Sequence, residues 1–208
     1  MIKRILQQPI VQKLDKGKAI LLIGPRQVGK TTLIKSILGN REYLFMDGDD
    51  PTVRSLLTNP NTEQLKSIIG NYTTIFIDEA QRIENIGLTL KIITDQFQQV
   101  QLLISGSSAF ELNSQTSEPL TGRKWEYNLF PISWQEFEGT MGFLKAEQRL
   151  ELRVLYGMYP GVLNHIGNEV EILKELTISL IERLTISYSR HLLINLLMGF
   201  ISPYTHFV

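Results

Sequence analysis

The segment Gly24-Pro25-Arg26-Gln27-Val28-Gly29-Lys30-Thr31-Thr32 brings together two glycines, a guanidinium, an ammonium and two hydroxyls. Its spacing is G-x-x-x-x-G-K-[ST], the pattern of a loop that cradles phosphate. The glycines let the backbone fold tightly, so that its N–H groups point at phosphate oxygens. Lys30 can reach the outer phosphates of a polyphosphate, and the Thr31 hydroxyl can ligate Mg²⁺. A glycine-rich turn with no ligand could carry the same letters. The setting decides between the two. The apolar run 19–23 stops at Gly24, and an apolar helical pattern begins after Gly29. A helix opening at the loop adds a dipole that favours an anion.

A second set of chemical groups lies at Asp78-Glu79, directly after the apolar run 73–77. A phosphate-loop enzyme needs a carboxylate at the end of a neighbouring strand to hold the Mg²⁺ shell, and Asp78 fits that role. Strand alternation puts Glu79 on the other side, where it can polarise a water for attack on the terminal phosphate. An Asp-Glu pair by itself also occurs at many helix starts. Beside the phosphate loop, it points to magnesium-dependent hydrolysis. Further candidates lie in three other stretches. Ser105, Ser107 and Ser108 end another strand, where a hydroxyl can sense the terminal phosphate or place water, or simply cap a turn. Arg123 is a candidate transition-state arginine, in cis or toward a neighbouring subunit, with a surface ion pair as the alternative. Asp47 sits past a strand end, as a site residue or a turn former, whereas Asp50 before Pro51 reads as a helix cap.

These groups need a parallel sheet to bring them to one edge. Apolar or alternating runs at 19–23, 42–46, 73–79, 101–105 and 125–129 predict five strands. Helices are predicted over 30–38, 52–57, 61–69 and 86–97, and Ser133 with Glu136 makes a capping box for another. Residues 2–14 carry a helical pattern interrupted by Pro9, while 15–18 read as a turn.

Composition narrows the rest. Lys plus Arg and Asp plus Glu are both 21, so net charge is zero and gives no support to an overall grip on nucleic acid or anionic membrane. A local patch stays open. The absence of cysteine excludes disulfides and thiolate metal sites, and fits a cytoplasmic location. The apolar stretch 192–201 contains Asn195 and is about half a membrane span. No membrane association is expected.

Taken together, the phosphate loop, Ile77-Asp78-Glu79-Ala80-Gln81-Arg82, Ile104-Ser105-Gly106-Ser107-Ser108, Leu120-Thr121-Gly122-Arg123 and Leu129-Phe130-Pro131-Ile132-Ser133 closely resemble the prokaryotic AAA-family P-loop ATPases that carry a C-terminal domain of unknown function. The resemblance covers about residues 1–165. It implies an α/β fold of the ASCE type, with a parallel sheet in the order 5-1-4-3-2 flanked by helices. It implies ATP as the nucleoside triphosphate and Mg²⁺ as the metal. The resemblance further implies an ATPase domain over 1–140 and a helical remnant over 141–208. Past about Thr177 the family pattern stops, and the expectation is a truncated or frameshifted tail, with a native small variant as the alternative. The expected activity is ATP hydrolysis that drives or gates a conformational change. The alternatives are a nucleotide switch with little hydrolysis, or a remnant of a defence or nucleic-acid-associated ATPase. A homo-oligomer is a candidate assembly. Nothing in the residues identifies a protein client.

Overall fold

Three strands carry an unbroken apolar stretch because they are covered on both faces. In the computed structural model, β1 (Ala19–Ile23), β3 (Thr74–Asp78) and β4 (Gln101–Gly106) are buried along their whole length. Two strands with partly exposed residues flank them, β2 (Leu44–Asp47) and β5 (Lys124–Asn128). All four pairings are parallel, and the order is β2-β3-β4-β1-β5. This is the order 5-1-4-3-2 read from the other edge, with β4 between the loop-bearing strand and the Asp78 strand. The structure describes residues 2–107 and 119–187, the last nine by backbone alone. Ser108 and the stretch 192–201 lie outside the described residues.

Alternation sends the strand side chains to two layers. On one face Leu21, Ile23, Ile75, Ile77, Leu102 and Ile104 form a core with α3 (Pro51–Leu57), α4 (Thr62–Ile69) and α5 (Ile86–Gln96). Each fully buried aliphatic side chain there contributes about 1.5–3 kcal/mol. On the other side α1 (Gln7–Val11) packs on α2 (Lys30–Leu38), which in turn contacts β4. Pro9 stands in the first turn of α1, where its missing N–H costs nothing, so the helix is short rather than broken.

The helix ends follow their local chemistry. The Asp50 carboxylate accepts from the Thr52 amide, and Pro51 begins α3. Asn61 caps α4 rather than starting it, in a reciprocal box with Gln64. Ser133 and Glu136 form the same box at α6 (Trp134–Met141). The second strand begins at Leu44, two residues later than its sequence pattern predicts.

The chain divides into two compact units, Met1–Leu150 and Glu151–Val208. The first ends past α6 and α7 (Phe143–Glu147). The second holds all but the first residue of α8 (Leu150–Tyr156), followed by α9 (Pro160–Asn164) and α10 (Glu169–Ser187). There a buried Arg153–Glu169 pair lies at 3.4 Å, and α9 packs on α10.

Candidate phosphate-binding site

A parallel sheet carries its strand ends of one kind to one edge, and the carboxyl edge of this sheet collects the chemical groups. The loop 24–29 leaves β1 at the centre of that edge. Gly24 donates its N–H to Gly106 O at 3.2 Å, which ties the loop to the end of β4. A side chain at position 24 would force the backbone apart, because its Cβ would lie 2.1 Å from the Leu129 carbonyl oxygen. Gln27 and Gly29 both take left-handed backbone conformations, at φ +60° and +93°. Such turns aim successive N–H groups into one concavity. Val28 is fully buried and anchors the loop from behind, while Pro25 and Arg26 are half-buried and Gln27 and Thr32 are exposed.

Lys30 opens α2, and its ammonium folds back over the loop. It donates to Gly24 O at 2.9 Å and Pro25 O at 3.0 Å. Burial pulls its pKa below the usual lysine value. Glu79 and Asp78 oppose that shift, and Arg26 adds to it. The cation therefore stands in a low-dielectric position where an anion gains most from it. The Thr31 hydroxyl donates to Asp78 Oδ2 at 2.6 Å. The other oxygen of Asp78 accepts from the Ser105 hydroxyl and from the Glu79 amide. A hydroxyl and a carboxylate so placed are hard oxygen donors of the kind Mg²⁺ takes together with phosphate oxygens and water.

Glu79 departs from the alternation expected of it. The strand ends at Asp78, and Glu79 turns into the left-handed region at φ +46°. A non-glycine residue there is strained, and such strain concentrates at functional sites. Its direction is set by this turn into the short 3-10 helix Ala80–Arg82, not by strand alternation. Gln81 bridges it to β4. The Gln81 amide donates to Glu79 Oε2 at 2.5 Å, and Gln81 Oε1 accepts from the Ser107 amide at 3.3 Å.

Gly24 to Thr31, Asp78, Glu79 and Ser105 are thus brought together. Ser105 is fully buried, and its hydroxyl is turned to Asp78. Asp47 accepts from the Asp49 amide in a local turn. Arg123 is not brought to the site. It precedes β5, and its carbonyl accepts from the amide of Ala19 at the start of β1. It therefore lies at the amino edge of the sheet, a full strand length from the loop, and pairs with Asp95. A transition-state role in cis is corrected on this ground, because a residue before a parallel strand lies at the opposite edge from residues after it. Two residues carry weight that their sequence pattern does not reveal. Arg4 and Glu136 form a buried ion pair at 3.1 Å directly behind the loop. Glu136 is legible as a helix-capping residue, but its second duty is not.

A family model described as an AAA domain matches residues 16–138. An uncharacterized Mycobacterium tuberculosis protein is 33% identical over 111 residues, which is 53% of this chain and 24% of that protein. An uncharacterized Methanocaldococcus jannaschii protein is 24% identical over 139 residues, covering 64% of this chain and 31% of its own length. The chain thus spans about a quarter to a third of these relatives. Among solved structures, the Walker-type ATPase of Pyrococcus abyssi superposes with a TM-score of 0.62 at 17% identity, over 91% of this chain and 77% of that one. At that identity the likeness concerns the fold, which is that of P-loop nucleoside triphosphatases.

Proposed function

This chain belongs to the AAA domain family, and from that premise we propose that it binds ATP with Mg²⁺ and hydrolyses it to ADP and phosphate. The observation that carries the reading is the Thr31–Asp78 contact at 2.6 Å beside the ammonium of Lys30. It puts a hydroxyl, a carboxylate and a cation at the mouth of one loop. Lys30 exchanges its two carbonyl partners for phosphate oxygens when the triphosphate enters. The loop amides take the remaining oxygens, and α2 presents its positive end. Thr31 and Asp78 hold the metal, and Ser105 keeps Asp78 in the required rotamer. Magnesium, when bound, offsets charge on the β- and γ-phosphates. Glu79 accepts a proton from the attacking water or orients it. Most of the rate gain comes from positioning and from charge already in place.

Gln81 supplies a route by which hydrolysis can drive a conformational change. It touches the Glu79 carboxylate on one side and the chain after β4 on the other. A change in the water-facing carboxylate is therefore felt at Ser107.

One observation favours a second reading, a nucleotide switch with little hydrolysis. Arg123 is paired with Asp95 at the far edge of the sheet and supplies no transition-state cation in cis. An arginine from a neighbouring copy would then be needed for full activity. Phosphate release by the wild type with Mg²⁺ and with chelator, alongside Glu79→Gln, separates the readings. Hydrolysis that needs Mg²⁺ and falls in Glu79→Gln while ATP still binds supports the ATPase. Binding without release at any protein concentration sinks the ATPase reading and leaves the switch. Release that rises more steeply than protein concentration points to the neighbouring copy.

A further inference from the structure

The phosphate loop is fixed from behind by a residue outside every motif that identifies it. Arg4 is buried, with a side chain 9% exposed, and three of its N–H groups are committed. Nε donates to Glu136 Oε1 at 3.1 Å. One terminal nitrogen donates to Val28 O at 2.8 Å, and the other to Phe130 O at 2.5 Å. Glu136, 6% exposed, also accepts from the amides of Ile5 and Ser133 at 2.7 and 2.9 Å. The planar guanidinium fork thus joins the amino-terminal segment, the loop, the chain after β5 and the cap of α6.

The Val28 carbonyl is the acceptor that matters. In a trans peptide the C=O and the next N–H point in opposite directions. A carbonyl turned back to Arg4 turns the Gly29 N–H forward. Gly29 stands at φ +93° and has no Cβ to hinder rotation of that peptide plane. A Cβ built there would lie 3.9 Å from the Arg4 nitrogen, so the guanidinium sits immediately behind the glycine. If the plane reversed, a carbonyl oxygen would face the phosphates in place of a donor.

We propose that Arg4, held by Glu136, is a positioning residue for triphosphate binding, which pins the Val28–Gly29 peptide with its N–H toward the phosphates. This rests on the reading of Gly24–Thr31 as a phosphate cradle. Lysine at position 4 keeps the charge but is a point donor without the fork, so it cannot serve three acceptors at fixed angles.

The test is titration of the full chain with a fluorescent ATP analogue, well below the melting temperature. The variants are Arg4→Lys, Arg4→Met and a remote core control, Ile69→Ala. Selective ¹⁵N-glycine labelling follows the Gly29 amide. Both Arg4 variants are expected to weaken binding by at least about tenfold, the worth of one amide donor to a charged oxygen. The Gly29 amide shift on adding the analogue should shrink with them. Ile69→Ala is expected to lower the melting temperature and leave the dissociation constant of folded protein unchanged. Wild-type affinity and a wild-type Gly29 shift in the Arg4 variants would overturn the proposal. Should neither variant fold, ¹⁵N-arginine labelling of the wild type decides. The Arg4 guanidinium signal shifts on triphosphate addition if the proposal holds, and stays fixed if it does not. A wild type that binds no triphosphate removes the cradle reading itself, which is a different failure.

Discussion

At the scale of single residues, the site is a set of polar groups that hold one another. Lys30 occupies two loop carbonyls, Thr31 and Ser105 share Asp78, and Gln81 holds Glu79. On the proposed function, truncating Lys30 to Ala removes a charge and two or more charge-assisted bonds to phosphate. A triphosphate dissociation constant raised by at least about a hundredfold is expected, at 1.5–3 kcal/mol for each such bond. Fluorescence titration measures it, and unchanged affinity would remove Lys30 from the site. Glu136 gives a pH prediction. Burial raises its pKa, but hydrogen bonds from the Ser133 and Ile5 amides and the Arg4 charge outweigh burial, and the net shift is downward. The folded state therefore favours the carboxylate. Its contribution is complete above the ordinary glutamate value of about 4.3, and is lost as pH falls through the lower folded value. Glu136→Gln should melt lower than wild type at pH 7. Its melting temperature should then fall less between about pH 5 and pH 3. Parallel curves for the two proteins would show that this carboxylate does not govern acid stability. The loop and Asp78 were legible because each motif is contiguous and its chemistry is local. The Arg4–Glu136 pair was not, since 132 positions separate its members and only folding makes them neighbours.

At the scale of elements, the strands decide where each side chain can act. The central strands were legible as unbroken apolar runs, because burial on both faces leaves no polar alternation to read. Edge strand β2 was less so, since Leu44 is half-buried, Phe45 exposed and Met46 buried. Arg123 shows how a sound motif can mislead. Its residue type suits a transition state, but it enters β5, where a role in cis needs a residue that leaves a strand. The direction of a parallel strand holds that information, and the residue type does not. The carboxyl edge also imposes a packing limit. Ala at position 24 would drive a Cβ into the Leu129 carbonyl, and backbone on both sides has no flexible end to yield. Gly24→Ala is expected to cost at least about 3 kcal/mol, a fall of roughly 10 °C in melting temperature for a unit of this size. Thermal melting checks it. A variant within a degree or two of wild type would mean that β5 moves aside freely.

At the scale of the whole molecule, the strand order has a consequence for how the chain comes to exist. β1 is the first strand to be made, yet both of its partners, β4 and β5, come from the far half of the first unit. Until Asn128 has left the ribosome, the strand that bears the phosphate loop has an unpaired edge. Its apolar residues must wait through the synthesis of most of the domain. Closing so long a loop before any contact rewards it makes this pairing slow, and exposed apolar edges in that interval invite aggregation. In refolding from denaturant, helix signal should therefore return before the capacity to bind a triphosphate, which should track the slowest phase of sheet assembly. Stopped-flow mixing with a fluorescent nucleotide analogue would follow it, and binding recovered in the earliest phase would show that the loop organises without its sheet. The loop-bearing strand is thus among the first features translated and among the last to find its partners, which puts a clock on the maturation of the loop that runs from the far end of the domain.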